Sequence, residues 1–248
     1  MGEKTVFAAV TCALAVSFTA VAQPTPALLS VARVIVKPER AAEWREIEVK
    51  YTEAYKKGGG TLRVVYQSTE GNPYEYTVIT ALPGYAAMDG TSPYVKGSSE
   101  AAIAGLSARR NQCIMSVRTT MERPLPDLAI MTPGSEPPKR QRVVRTTVRP
   151  GMMDQYLEVL KNELVPALKK GGVKWFRARV VEYGGSRNQV TTGSGFNDWA
   201  EMDGPSVLEK ALGKDAAAAW LKKISGMISS SEYLIYTYRP ELSYVAPQ

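Results

Sequence analysis

The feature that most constrains this chain is an internal repeat. Three segments recur in the same order: VARVIVKPERAAEW (31–44) as VVRTTVRPGMMDQY (143–156), KKGGG (56–60) as KKGGV (169–173), and Met-Asp-Gly (88–90) as the same triplet (202–204). The offset is 112 at the first segment and 114 at the third, a drift that predicts loop insertions. Self-similarity over the length of a small domain indicates one structural unit written twice.

Each copy is predicted to have the element order βαββαβ. In the first copy, a valine-rich strand precedes a helix that begins at Pro38 and ends at Gly58–Gly60, since proline favours the first turn and glycine the end. A hairpin turns around Gly71, and a second helix capped by Ser98 or Ser99 leads into the last strand. In the second copy, strands are predicted near 141–149, 173–183, 187–196 and 231–239, and helices near 151–170 and 206–229. This order predicts an α+β fold of two ferredoxin-like repeats.

The predicted organisation has four parts: a signal peptide at 1–22, a first repeat at 23–122, a proline-rich linker at 123–140, and a second repeat at 141–248. The linker contains five prolines, which favour an extended, semi-rigid chain. Alternatively, it packs along a sheet edge, and Leu128, Ile130 and Met131 then supply the apolar contacts.

The first residues are typical of an export signal. A short polar start with one lysine precedes an apolar run from Val6 to Val16, and Ala20-Val21-Ala22 fits a cleavage site. A membrane anchor would need about 20 apolar residues. We therefore expect a secreted or periplasmic protein with no stable membrane span after cleavage. Cys113 would then be the only thiol, too few for an intrachain disulfide, and its apolar neighbours predict a buried side chain.

The chain contains no histidine, which excludes several kinds of chemistry. Ser-His-Asp and Cys-His catalysis, histidine-ligated haem and imidazole-bound metals all need that residue. Oxygen-ligated metals, carboxylate or tyrosine acid-base chemistry, arginine recognition and simple binding remain possible. With the aspartates considered next, we predict no metal site and no cofactor.

The two Met-Asp-Gly triplets favour a structural interpretation over a metal site. Two isolated aspartates on separate turns do not supply the several oxygens that Ca²⁺ requires. We expect Met88 and Met202 to fill the core, and Gly90 and Gly204 to adopt a backbone conformation that other residues resist.

The repeat pattern resembles the dimeric α/β-barrel superfamily, which includes NIPSNAP-like proteins and antibiotic-biosynthesis-type monooxygenases. The resemblance rests on the two ferredoxin-like units, on Pro38 and Pro150 after each first strand, and on the aromatic-plus-aspartate turn at Phe196–Trp199. It implies that both antiparallel sheets pair into one pseudo-dimeric α/β barrel, with helices outside and a ligand cavity within. It also leaves two oligomeric states open, a monomeric pseudo-dimer and a homodimer. No catalytic histidine of that superfamily can be carried over.

Strand alternation gives a candidate lining for such a barrel, because side chains two residues apart share a face. The predicted ligand-binding residues are Arg33, Arg63, Arg118, Arg145, Trp175, Arg177, Arg179, Gln189, Tyr236 and Tyr238, and alternation adds Glu75, Thr77, Glu122 and Thr191 to the same face. Six arginines against two glutamates cannot share a dry cavity, since unpaired buried charge is costly. The barrel is therefore wet and open at its ends, or it binds an anion.

Three functions remain from the sequence. The first is an exported protein that binds a small anionic or aromatic molecule. The second, implied by the resemblance, is a cofactor-independent monooxygenase-like enzyme, for which Glu75 and Tyr236 are the candidate acid-base groups, although no feature singles out either one. The third is a surface-interaction module of the cell envelope. Nucleic acid is not an expected partner despite the net charge of +7, because the strands lack the aromatic RNA-reading motif.

Overall fold

The computed structural model describes residues 26–131 and 137–247, so the predicted signal peptide lies outside the described residues. Eight strands form the main sheet: β1 (Leu28–Val36), β2 (Leu62–Ser68), β3 (Glu75–Leu82), β4 (Ile114–Pro124), β6 (Arg140–Val148), β7 (Trp175–Tyr183), β8 (Gln189–Phe196) and β9 (Ile228–Tyr238). Two short strands, β5 (Ile130–Met131) and β10 (Tyr244–Val245), pair with β7 and β2. The order β2-β3-β1-β4-β7-β8-β6-β9, with β9 pairing back to β2, closes an antiparallel barrel.

Helices follow the first and third strands of each half. They are α1 (Ala41–Lys57), α2 (Pro93–Lys96) and α3 (Glu100–Cys113) in the first half, and α4 (Met153–Val159), α5 (Val165–Lys170), α6 (Val207–Leu212) and α7 (Lys214–Ser225) in the second. Pro38 opens a 3₁₀ turn that leads into α1, and Ser99 caps α3 through the Ala102 amide. Each half is thus a βαββαβ unit, and the halves join through the β4–β7 and β9–β2 pairs. The predicted pseudo-dimeric barrel of two ferredoxin-like units is confirmed.

The connecting segment packs against the second half. Ile130 and Met131 form β5 along β7, and Leu128 is buried in the apolar cluster of that half. Where the chain is described, the segment therefore lies along the sheet as in the second of the two alternatives.

One residue of the change in offset between the two copies lies inside a helix. Between α4 and α5 the chain makes a π-helical turn over Leu160–Leu164, which holds one residue more than an α-helical path. The turn precedes Pro166, whose missing N–H breaks the regular hydrogen-bond ladder. The offset accordingly rises from 112 at Arg33 and Arg145 to 113 at the KKGG segments. The prediction that every drift lies in a loop is wrong at this point.

The extra residue reverses the predicted orientation of β2. Where the two halves meet, Tyr66 of β2 pairs with Tyr238 of β9, and Arg179 of β7 pairs with Pro124 of β4. Since β9 is the counterpart of β4, Tyr66 and Arg179 occupy equivalent positions in the two copies. Leu62, Val64 and Tyr66 therefore face the barrel interior. Arg63 faces the helices, where it binds Glu48 of α1. The prediction that Arg63 lines the barrel is wrong, because the residue inserted in the second copy's helix puts β2 and β7 out of step by one position.

The Met-Asp-Gly turns differ from expectation. Met88 and Met202 are exposed rather than part of the core, since both lie on short 3₁₀ turns outside the barrel. Gly204 has φ +83°, the left-handed conformation that favours glycine, whereas Gly90 is not among the glycines with positive φ. The turn explanation holds for Gly204 alone. Cys113 is buried at the end of α3, as predicted, and burial raises the pKa of its thiol.

Candidate functional site

The barrel interior contains two equivalent arginines. Arg33 on β1 lies opposite Thr77 on β3, and Arg145 on β6 lies opposite Thr191 on β8. Both strands run in the same direction, so the two guanidinium groups lie toward the same end of the barrel and interact electrostatically. The repeat thus brings together two arginines that are 112 residues apart in sequence.

Arg145 is held by three side chains. It donates a hydrogen bond to the Tyr236 hydroxyl and pairs with the Glu232 carboxylate at 2.9 Å. Its Nη2 lies 3.8 Å from Oε1 of Glu75, which also accepts a hydrogen bond of 3.5 Å from Tyr236. Arg145, Tyr236 and Glu75 therefore form one connected polar group.

The opposite wall of the interior is charged. Glu122 is fully buried and accepts hydrogen bonds from Arg179 and from Thr120, the latter at 2.7 Å. Arg33 Nη2 lies 3.7 Å from the same carboxylate. One carboxylate is therefore shared between two guanidinium groups.

A cavity of about 250 Å³ opens at this end of the barrel. Its lining includes Arg33, Glu75, Arg118 and Arg145, together with Ile35 and Ser116. Arg118 is exposed at the mouth, where its Nε and Nη2 lie 3.4 and 3.5 Å from the Gly184 carbonyl oxygen. The volume falls just below the range typical of ligand pockets, about 300–1,000 Å³, so a compact molecule fits best.

Three buried polar atoms in this interior have no hydrogen-bond partner within the described parts of the chain: Nη2 of Arg33, Oγ1 of Thr77 and Oγ1 of Thr191. Buried polar groups are nearly always satisfied, so such atoms call for an explanation. Burial, followed by the charge of Arg145, lowers the pKa of the Arg33 guanidinium. Positive charge is therefore in excess beside the cavity.

Tyr236 is a hydrogen-bond donor rather than a phenolate. Burial raises the pKa of its hydroxyl, although the Arg145 charge acts in the opposite direction. The neutral phenol can therefore donate a proton in a hydrogen bond, and its neighbour Glu75 can only accept one while ionised.

The other predicted lining residues lie away from this cavity. Trp175 and Arg177 face inward on β7, with the guanidinium 5.3 Å from the indole ring and its Nε 3.0 Å from the Met131 sulfur. Burial lowers the pKa of Arg177. Tyr238 packs on Tyr66 at 5.7 Å between ring centroids, and Gln189 is half-buried opposite Thr147.

The structure therefore groups four of the ten predicted ligand residues tightly, namely Arg33, Arg145, Arg179 and Tyr236, with Arg118 at the mouth. Arg63 lies outside the barrel. Sequence reasoning missed Glu232, although two-residue steps back from Tyr236 lead to it. β9 extends three residues further back than predicted, because it keeps pairing with β6 as far as Val148.

Within residues 26–131 and 137–247, no cluster of three or more Cys, Asp or Glu side chains is arranged to hold a metal ion. The same residues include no helix long and apolar enough to cross a membrane.

Solved structures resemble this chain over most of its length. A putative monooxygenase from Fusobacterium nucleatum superposes with a TM-score of 0.62 at 12% identity, covering 85% of this chain and 91% of that one. One from Lactobacillus acidophilus NCFM gives 0.61 at 9%, covering 89% and 97%. An anthrone oxidase-like protein gives 0.61 at 12%, covering 88% and 94%. No protein-family model and no curated protein matches.

At these identities the likeness establishes the fold alone. The chain has the antiparallel α/β-barrel fold of these solved structures, with both halves supplied by one polypeptide.

Proposed function

We propose that this protein is a monooxygenase-like enzyme that binds a small phenol- or enol-type substrate as its anion at the mouth of the barrel. The observation that carries the proposal is the pair of guanidinium groups of Arg33 and Arg145 beside the cavity, with the buried Arg33 Nη2 lacking a hydrogen bond and 3.7 Å from the Glu122 carboxylate. A bound oxyanion would satisfy that nitrogen and relieve the repulsion between the two arginines.

The residues around the cavity suit proton abstraction from a weakly acidic substrate. Glu75 is the proton acceptor in this proposal, because it lines the cavity and is reached by the Tyr236 hydroxyl. Tyr236 donates a hydrogen bond to the carboxylate, and Arg145 lies 3.8 Å from it as an ion-pair partner, so both orient Glu75. The two arginines stabilise the negative charge that develops on the substrate.

The reaction balances without a further reductant. A methylene carbon activated by a neighbouring ring or carbonyl group loses a proton, and the carbanion supplies electrons to O₂. One oxygen atom becomes the product carbonyl, and the other leaves as water with both hydrogens, so that CH₂ and O₂ give C=O and H₂O. The structural resemblance to an anthrone oxidase-like protein favours anthrone as the first substrate to test.

The test is oxygen uptake by the purified protein with anthrone, with anthraquinone followed by absorbance. We expect turnover above the uncatalysed blank, and a loss of about 10²-fold in Arg33→Gln, Arg145→Gln and Glu75→Gln. Arg40→Gln is the matched control, since Arg40 is a half-exposed arginine outside the barrel. Equal turnover in all four variants would contradict the assignment.

Binding without chemistry is the second candidate, and the same arginines favour it. A protein that binds 4-hydroxybenzoate through Arg33 and Arg145 but consumes no oxygen with any phenol or anthrone would support this function instead.

We also propose that the protein acts after export, in the periplasm or outside the cell, as a monomeric pseudo-dimer. The alanine-bearing cleavage pattern before Gln23 supports export. The mass of the protein from the exported fraction tests it, since cleavage after Ala22 predicts Gln23 at the N-terminus.

A further inference from the structure

A second cavity lies outside the barrel, between α1 and α3 of the first copy. Its volume is about 480 Å³, within the usual range of ligand pockets. Its lining includes four small or apolar residues, Ala54, Ala102, Gly105 and Leu106. None of these residues belongs to the barrel site.

The second copy fills the equivalent space. The Lys37 N–H donates a hydrogen bond to the Cys113 carbonyl oxygen, and the Arg149 N–H donates the equivalent bond to the Met227 carbonyl oxygen. These matched bonds show that residues of α7 lie 114 positions after their counterparts in α3. Trp220 is thus the counterpart of Leu106. It packs in the cluster that contains Ala167, the counterpart of Ala54. The first copy therefore keeps open a groove that an indole ring occupies in the second.

One end of the groove is closed by backbone contact. A Cβ on Gly97 would lie 1.9 Å from the Ala54 carbonyl oxygen, and one on Gly58 would lie 1.8 Å from that of Pro93. Only glycine allows this approach. The groove therefore has one fixed, closed end.

Positive charge surrounds the groove. Lys50, Lys57 and Arg109 line it, against the single carboxylate of Glu53. Arg109 is paired with Glu43 at 3.1 Å, whereas no ion pair of Lys50 or Lys57 is found among residues 26–131 and 137–247. The counterpart of Lys50 in the second copy is Asn162. The open space and the added cation thus occur in the same copy.

We propose that this groove binds an organic carboxylate with a linear apolar chain. Lys50 binds the carboxylate, and the chain lies on Ala54 and Leu106 toward the glycine-closed end beside Lys57. The site is independent of the barrel cavity.

Titration calorimetry with octanoate tests the proposal. We expect saturable one-to-one binding with a Kd below about 1 mM. Leu106→Trp, which introduces the residue of the second copy, should weaken binding at least tenfold, and Lys50→Asn should weaken it without changing the fold. Uncharged octanol should bind at least tenfold more weakly than octanoate.

Several results would overturn the proposal. They are an absence of octanoate binding to the wild type, unchanged affinity in both Leu106→Trp and Lys50→Asn, or equal affinity for octanol. The barrel variant Arg33→Gln should bind octanoate like the wild type, and loss of binding in that variant would place the ligand in the barrel instead.

Discussion

Between the sheet and the helices, the first copy buries charged side chains at positions where the second copy buries apolar ones. In the first copy, Glu48 is buried between the guanidinium groups of Arg63 and Arg110. The equivalent positions of the second copy hold Leu160, Phe176 and Ile224, all buried. Either set fills the volume between sheet and helices. The charged set adds directional bonds, including 2.8 Å hydrogen bonds from Arg63 to Thr52 and to the Leu242 carbonyl.

This comparison shows that the fold itself does not require the charges. The Arg63 bonds connect β2, α1 and the C-terminal segment, which the apolar trio cannot do. A buried ion pair is weak evidence for stability but costly to break, because the remaining partner is left unpaired. The two copies therefore offer matched experiments within one chain.

The largest effect is expected for Glu48→Leu. The substitution leaves Arg63, which is 2% exposed, without its carboxylate, and should lower the free energy of unfolding by about 3–5 kcal/mol. Urea denaturation measures this change.

The copy-matched triple variant Glu48→Leu, Arg63→Phe, Arg110→Ile sharpens the result. It introduces the apolar trio of the second copy and should recover most of the lost stability. A triple variant no more stable than Glu48→Leu alone would show that the two cores are not interchangeable.

A second prediction concerns the barrel interior, where Glu122 and Tyr236 are equivalent. Glu122→Gln should cost about 2–3 kcal/mol, since Arg33 and Arg179 then share no negative charge. Tyr236→Phe should cost about 1 kcal/mol, because it loses the bond from Arg145 and the long, 3.5 Å bond to Glu75. Thermal and urea unfolding of both variants test the ranking. A reversed order would mean that the aromatic wall contributes more stability than the charged one.

The hairpin glycines give a third comparison. Gly71 and Gly184 both have positive φ, but only at Gly184 would a Cβ meet backbone, 2.4 Å from the Thr119 carbonyl oxygen. Gly71→Ala should cost about 1–2 kcal/mol of backbone strain, and Gly184→Ala clearly more. Equal unfolding midpoints for the two variants would argue against the close contact of this hairpin with β4.

The smallest effect is expected in acid. Capping boxes at Asp198–Glu201 and Ser206–Glu209 occur in the second copy, and at the equivalent positions the first has Ala87 and Val95. Backbone hydrogen bonds lower the pKa of Glu201 and Glu209. Because the pKa of each glutamate is lower in the folded protein, its ionised form stabilises the fold at pH values above the unfolded-state pKa, near 4.5. This stabilisation is lost as the pH falls through the folded-state pKa.

Comparing the wild type with Glu201→Gln/Glu209→Gln by urea unfolding from pH 7 to pH 3 tests this expectation. The wild type should be slightly more stable near neutrality, and the difference should vanish at the acid end. A difference that persists at pH 3 would contradict a role for the ionised caps.

Much of the fold is predictable because the repeat, the opening prolines and the closing glycines act locally. Alternation also places Arg33, Glu75, Arg145 and Tyr236 correctly. Alternation fails in β2, because LRVVYQS is apolar on both faces and does not itself indicate which face lines the barrel. Comparison with β7 of the second copy is misleading as well, because one extra residue in a π-helical turn shifts the two strands by one position.

The buried charges were less accessible to sequence reasoning. A glutamate on an amphipathic helix is usually exposed, so nothing distinguishes Glu48 from its exposed neighbours until β2 places Arg63 against it. Likewise, the sharing of Glu122 between Arg33 and Arg179 depends on how the two copies pair, which strand alternation alone does not specify.

The most direct test of the barrel site is equilibrium binding of 4-hydroxybenzoate, a compact aromatic anion, measured by calorimetry on the wild type and on Arg33→Gln/Arg145→Gln. We predict one-to-one binding that weakens at least tenfold in the double variant and is unchanged in Arg40→Gln. Binding of equal strength in all three proteins, or no binding to the wild type, would contradict the proposal that the paired arginines form an anion site.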